Sequence, residues 1–251
     1  LSNLYLDGSK FNSTRIFGVG EHFKGLTKIL NQNKPQVELE NIYFRKLNKN
    51  SPQIKSQVRR FGMNAAGDIP GIAGVSGNFY LNRSQGWFEF SGTEAFVNMP
   101  KVFPHPWSKK NIYGKIFFTK DVNRLFVAGR DIVITDHSLK VKGGFFLDLM
   151  RDGLDLIQVE LSFDGSHEDI PVLLPNVVTG KKKAFIMNVF KKGKVKNGRI
   201  SFSGPIGKSE YKGLRTISIF LPLQSVEIKT HDKWPDLQAV DGTLEIAENQ
   251  I

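Results

Sequence analysis

Leu154-Asp155-Leu156-Ile157-Gln158-Val159-Glu160-Leu161-Ser162-Phe163 is the stretch that decides the fold. From Ile157 onward apolar and polar residues alternate without a break. An extended chain points successive side chains to opposite faces, so Ile157, Val159, Leu161 and Phe163 share a dry face while Gln158, Glu160 and Ser162 face water. Immediately upstream, Asp152-Gly153 supplies the positive backbone φ that a tight hairpin turn requires. Before that turn Phe145, Leu147 and Leu149 alternate in the same way. The spacing therefore predicts an antiparallel hairpin in which residues 145–149 pair with 154–163.

Working outward, the same period of two recurs at Phe88 and Phe90, Ile132 and Ile134, Leu139 and Val141, Ile200 and Phe202, and then Ile217, Ile219 and Leu221. Asn197-Gly198 reads as a second hairpin turn. Strands that follow strands, punctuated by turns, indicate a mainly β chain with an antiparallel meander, because a parallel α/β sheet would alternate strands with helices. Helical signals are confined to residues 23–32 and to one insert over 166–192, interrupted near Pro171 and Pro175.

The chain has 251 residues, 40% of them apolar, which is enough to bury a substantial core. Cysteine is absent, so disulfides, thiolate metal sites and cysteine nucleophiles are excluded, while the redox compartment stays open. The opening Leu1-Ser2-Asn3-Leu4-Tyr5-Leu6 does not resemble a signal peptide, and no run approaches the roughly 18 apolar residues of a membrane-spanning helix. The expectation is an excised or processed segment whose membrane anchor, if it has one, lies outside it.

Net charge is +11, from 35 Lys plus Arg against 24 Asp plus Glu. The densest basic cluster is Lys181, Lys182, Lys183, Lys191, Lys192, Lys194, Lys196 and Arg199, around Phe185, Ile186, Val189 and Phe190 at helical spacing. It reads as a surface helix docked by its apolar stripe, with a solvated lysine face. The same composition would also suit a helix on an anionic membrane surface or a polyanion-binding module. Nucleic acid is not expected as a partner, since most phenylalanines fall on the alternating apolar face instead of beside Lys and Arg on an exposed sheet.

Residues that would carry chemistry do not form a constellation. Gly207-Lys208-Ser209 lacks the upstream glycine of a phosphate loop, that position being Phe202. Gly18-Val19-Gly20 has Phe23 where a dinucleotide fingerprint needs its third glycine. His22, His105, His137, His167 and His231 are scattered, with none at the spacing that puts two ligands on one helix face. Asp148, Asp152 and Asp155 read as hairpin carboxylates, because Met150 and Val159 occupy positions where a calcium loop needs oxygen ligands. The reading is of a protein with no catalytic residues, no metal and no cofactor.

An internal repeat is more informative. Ile69-Pro70-Gly71-Ile72-Ala73-Gly74-Val75-Ser76-Gly77-Asn78-Phe79 returns as Trp234-Pro235-Asp236-Leu237-Gln238-Ala239-Val240-Asp241-Gly242-Thr243-Leu244, displaced by 165 positions (234 minus 69). A structural unit of roughly 160 residues, stacked on its neighbours, is the inference. It divides the chain into residues 1–165, a first unit with a short N-terminal helix, and 166–251, a helical insert and the start of a second unit.

From Ile69 onward the chain resembles the YhdP-type, AsmA-like proteins of Gram-negative envelopes. The resemblance rests on Ile69-Pro70-Gly71-Ile72 through Gly77, Phe96-Val97-Asn98-Met99-Pro100-Lys101-Val102-Phe103, Val172-Leu173-Leu174-Pro175 leading into 184–192, Gly198-Arg199-Ile200-Ser201-Phe202-Ser203-Gly204-Pro205, and Trp234-Pro235 through Gly242. It implies an internal periplasmic slice of an inner-membrane-anchored protein that conducts phospholipid between the two membranes. It further implies repeated, strongly curved antiparallel sheets joined end to end into a taco-like groove. The partners implied are phospholipid acyl chains, flanking units of the same chain and other envelope proteins. Groove candidates are Phe79, Leu81, Phe88, Phe90, Ile116, Phe118, Ile132, Ile134, Val159, Leu161, Phe163, Ile217, Ile219 and Leu221. Alternation alone favours a closed core and a scaffolding role, because an open apolar groove is a liability in water; the resemblance favours the groove.

Overall fold

Alternation this regular needs long strands, and the chain builds them. The computed structural model describes residues 4–7, 32–46, 52–66, 70–100, 103, 105–169, 190–205, 213–229 and 235–248. Among them are β1 (Leu4–Asp7), β2 (Gln36–Lys46), β3 (Pro52–Met63), β4 (Gly71–Leu81), β5 (Gln85–Asn98) and β6 (Trp107–Lys120). There follow β7 (Arg124–Asp136), β8 (Leu139–Met150), β9 (Leu156–Ser166), β10 (Phe190–Pro205), β11 (Thr216–Ile228) and β12 (Leu237–Glu248). All twelve lie in one antiparallel sheet in chain order, and β1 and β12 form its two edges without pairing to each other, so the sheet is open.

Local turn chemistry explains the meander. Between β4 and β5 the Asn82 carboxamide oxygen accepts from the Ser84 and Gln85 N–H groups. Asp121 does the same for Asn123 and Arg124 between β6 and β7. The hairpin read around Asp152-Gly153 is present, with Phe145 opposite Val159, Leu147 opposite Ile157 and Asp148 opposite Leu156, but neither Asp152 nor Gly153 takes the expected positive φ, because the connection is longer than a two-residue turn.

Two further expectations are corrected. Asn197 has the anticipated positive φ (57°), but it forms a bulge inside β10 and not a hairpin turn. Residues 190–192, expected to be helical, are instead strand: Phe190 opens β10 and pairs with Ile228. Hydrogen bonding to β11 overrides a helical spacing that is only a weak prior. Of the insert, residues 166–169 end β9 and form a single 3-10 turn, His167–Asp169, while 170–189 lie outside the described residues. Of the N-terminal helix only Gln32 is described, and it is helical.

Strands of 11 to 16 residues from β2 onward, stacked flat, would leave one apolar face open to water. Bulges prevent this. Every pairing from β2–β3 to β11–β12 except β8–β9 contains a register shift. Left-handed residues sit at many of them, including Asn41, Gly74, Asp131, Asn197 and Ser225. A bulge bends its strand, and a line of bulges bends the sheet.

The core lies along this line. Phe90, Ile200 and Ile219 on one side of the bulges belong to the same buried cluster as Val97, Val195 and Val226 on the other. The two limbs of the bent sheet thus share a core, which Phe103 and Trp107 complete with rings 4.7 Å apart. The two repeat motifs share one backbone feature. Gly74 in β4 and Ala239 in β12, equivalent under the displacement of 165, both take the left-handed conformation, with φ of 75° and 53°. β10 pairs with β9, so the sheet is continuous across residue 165.

Candidate functional site

Directly opposed residues of adjacent strands point to the same face, so the strand register reads out the surface of the inner wall. One row runs Phe79, Phe88, Ile116, Gly129, Phe145, Val159, Phe202, Ile217 from β4 to β11. On one side of it lies Leu81, Gly86, Phe118, Val127, Leu147, Ile157 and Gly204. On the other lies Ile132, Gly143, Leu161, Ile200 and Ile219. None of these residues is charged. With strands spaced about 4.8 Å apart, eight of them carry the central row for roughly 34 Å.

All fourteen groove candidates lie on this face, but they divide by burial. Phe90, Ile134, Phe163, Ile217, Ile219 and Leu221 are buried in the shared core. Phe79, Leu81, Phe88, Ile116, Phe118, Ile132, Val159 and Leu161 are only half-buried. The first group is occupied in holding the limbs together. Of the second, Phe88, Ile116, Ile132 and Leu161 pack against the edge of that core, and all eight form an apolar wall with area left over.

The wall is low because aromatic rings lie across glycines. A Cβ on Gly86 would collide with the Phe118 ring, and one on Gly129 with the Phe145 ring, each from the neighbouring strand. A ring spread over a glycine covers backbone that would otherwise be wet, and it projects less from the sheet than one standing upright. A second, smaller apolar cluster (Leu125, Leu147 and Leu149, with Phe118, Val127 and Ile157) extends the wall towards the hairpin ends.

Phe145, Leu147, Val127, Ile157 and Phe202 belong to this wall, although none was singled out as lining it. Nor did the alternating pattern anticipate the aromatics of the opposite face: Tyr80, Trp87, Phe117, Phe126, Phe146 and Phe220. The signal for most of them is a doublet. In Phe79-Tyr80, Trp87-Phe88, Phe117-Phe118 and Phe145-Phe146, neighbours on an extended chain must face opposite ways, so each pair puts an aromatic on both sides of the sheet.

Of the basic cluster, Lys181, Lys182 and Lys183 lie outside the described residues. Lys191, Lys192, Lys194, Lys196 and Arg199 are exposed on β10. Lys192 pairs with Glu227 at 3.0 Å, and the Arg199 guanidinium sits 5.0 Å from the Phe220 ring centre. Among the hairpin carboxylates, Asp155 accepts from the Met150 N–H at 2.9 Å. Burial raises its pKa above the ordinary aspartate value; the Met150 hydrogen bond opposes that shift and nearby Asp148 adds to it.

Such a face can take up apolar matter by removing it from water, at about 0.8 kcal/mol per buried methylene and without directional preference. Among known proteins, a family model described as YhdP protein matches residues 18–251. No curated protein and no solved structure matches the chain.

Proposed function

The chain belongs to the YhdP family, an envelope family of the AsmA-like kind in Gram-negative bacteria, and from that premise we propose that it is a periplasmic segment along which phospholipid moves between the two membranes. Acyl chains lie on the half-buried wall of the bent sheet while headgroups stay in water. The observation that carries this reading is the uncharged, half-buried apolar row crossing the sheet at right angles to its strands. A binding site for one ligand would be closed at its ends; a row that repeats strand after strand offers the same environment at every step. Sliding then costs little, because each methylene leaving one position enters an equivalent one.

The equivalent bulges at Gly74 and Ala239 support a repeated unit that continues the row into flanking units of the same chain. The role needs no catalytic residue.

The test is native mass spectrometry with lipid extraction on protein from a Gram-negative host, beside the variant Ile116→Asp with Val159→Asp. Both positions are half-buried and Ile116 packs against the edge of the core, so circular dichroism first establishes that the variant is folded. Phospholipid that copurifies with the wild type and is lost from a folded variant is the expected result. A lipid-free wild type, or undiminished lipid in the variant, would overturn the proposal in favour of a scaffolding role.

A further inference from the structure

On the outer face, one strand register carries Lys55, Tyr80, Trp87, Phe117, Ala128 and Phe146 directly opposite one another from β3 to β8. Beside it lie Lys115 and Arg130, mutually opposed on β6 and β7. The rings interlock with each other and with these cations. Tyr80 and Trp87 stack at 6.1 Å with 29° between planes, and Phe126 and Phe146 at 5.8 Å with 28°. The Lys115 ammonium lies 4.9 Å from the Trp87 ring centre and 5.7 Å from that of Phe117. Arg130 is 5.7 Å from Phe117, Arg124 is 5.8 Å from Phe126, and Lys55 is 5.9 Å from Tyr80.

We propose that this outer aromatic band is a docking surface for an anionic lipid bilayer, independent of the inner groove. Charge selects the partner: Lys115 pairs with Glu89 at 3.6 Å and Arg124 with Asp148 at 3.9 Å, and Lys55 and Arg130 leave the apolar strip net positive, complementary to acidic headgroups above an acyl layer. Tyr80 and Trp87, apolar in body and polar at the tip, together with wholly apolar Phe117 and Phe146 and set among Lys and Arg, match the composition of membrane interfaces. Base stacking is disfavoured at Trp87 and Phe117, over which the Lys115 and Arg130 cations already sit. The sheet needs no such band for its own core, which lies on the other side.

The experiment is co-sedimentation of the intact chain with phosphatidylcholine vesicles, with and without one-third phosphatidylglycerol. Lys115→Gln with Arg130→Gln removes two outer charges, Phe146→Ser removes an exposed ring, and Lys115→Arg keeps the charge. Binding to the acidic vesicles is expected to weaken about fivefold per charge lost, hence about twenty-fivefold for the pair, and to be retained by Lys115→Arg. It should also survive in the inner variant Ile116→Asp with Val159→Asp, and in Lys191→Gln with Lys194→Gln and Lys196→Gln on β10. Circular dichroism verifies the fold of each variant. Undiminished binding by the folded outer variants, loss of binding in the inner or β10 variant, equal binding to neutral vesicles, or no binding by the wild type would each overturn the proposal. Because the inner variant separates groove from band, failure here leaves the lipid-groove reading standing.

Discussion

Replacing one isoleucine by alanine in two places should measure where the core ends and the open wall begins. Ile219 on β11 is 1% exposed and Ile116 on β6 is half-buried, and both lie on the inner face. Alanine removes the same atoms from each. At Ile219 the lost transfer energy, about 0.8 kcal/mol for each of three carbon groups, is joined by a cavity that packed neighbours fill only in part, giving about 3 to 4 kcal/mol. At Ile116, which packs against the edge of that core, part of the side-chain area was never removed from water and solvent fills the gap, so the cost is about 2 kcal/mol. For a chain of this size, 1 kcal/mol shifts the melting temperature by roughly 2 to 4 °C. Urea denaturation of the two variants beside the wild type reads the difference directly. Equal losses above about 3 kcal/mol would mean that Ile116 is as enclosed as Ile219, and the half-open wall would have to be abandoned.

Gly129→Val should destabilise the sheet by about 1 to 3 kcal/mol, because its branched side chain must displace the Phe145 ring; denaturant titration measures it, and an unchanged midpoint would show that the ring does not lie over the glycine. Asp155 supplies a pH test. Its carboxyl holds a proton in the folded chain at pH values where the unfolded chain has already released it, so wild-type stability falls as pH rises from the ordinary aspartate value to the raised one. Asp155→Asn keeps an acceptor for the Met150 N–H and removes that titration, so the variant should gain on the wild type through that window and hold the gain above it; a constant difference across pH would refute the assignment. Finally, Gly74→Ala should cost about 1 to 2 kcal/mol, since its φ of 75° disfavours any side chain, while Ala239→Gly should be neutral or mildly stabilising. Loss of stability in both would contradict the equivalence of the two bulges.

The face of each strand was legible from the sequence, and its fate was not. Period-two alternation placed all fourteen candidates on one side of the sheet, because side-chain direction on an extended chain is a matter of counting. Whether such a residue is enclosed depends on what stands across the bend, and Phe88 and Phe90, two positions apart, end half-buried and buried respectively. The bulges were misread for a related reason. Asn197-Gly198 announces a positive φ, and that conformation serves a hairpin turn or a mid-strand bulge equally well; pairing partners 30 residues away decide between them. Aromatic doublets were visible but were counted as one face instead of two.

The bulge line explains how one sheet can hold a core and still keep an open wall. A flat sheet this wide would expose its whole apolar face, and a closed barrel would leave no entry. Bending each strand near its middle brings Phe90, Ile200 and Ile219 into one cluster with Val97, Val195 and Val226, so the inside of the bend is packed like any protein interior. Farther from the bend the limbs carry the central row, whose residues from Phe79 to Phe202 stay half-buried wherever the row bears a side chain. Fold stability therefore rests mainly on the residues at the bend, while Phe88, Ile116, Ile132 and Leu161 beside it serve both the core and the open wall. Substitution on the wall can tune what it holds while the bend keeps the limbs in place, and a chain of such units can lengthen without redesigning its core.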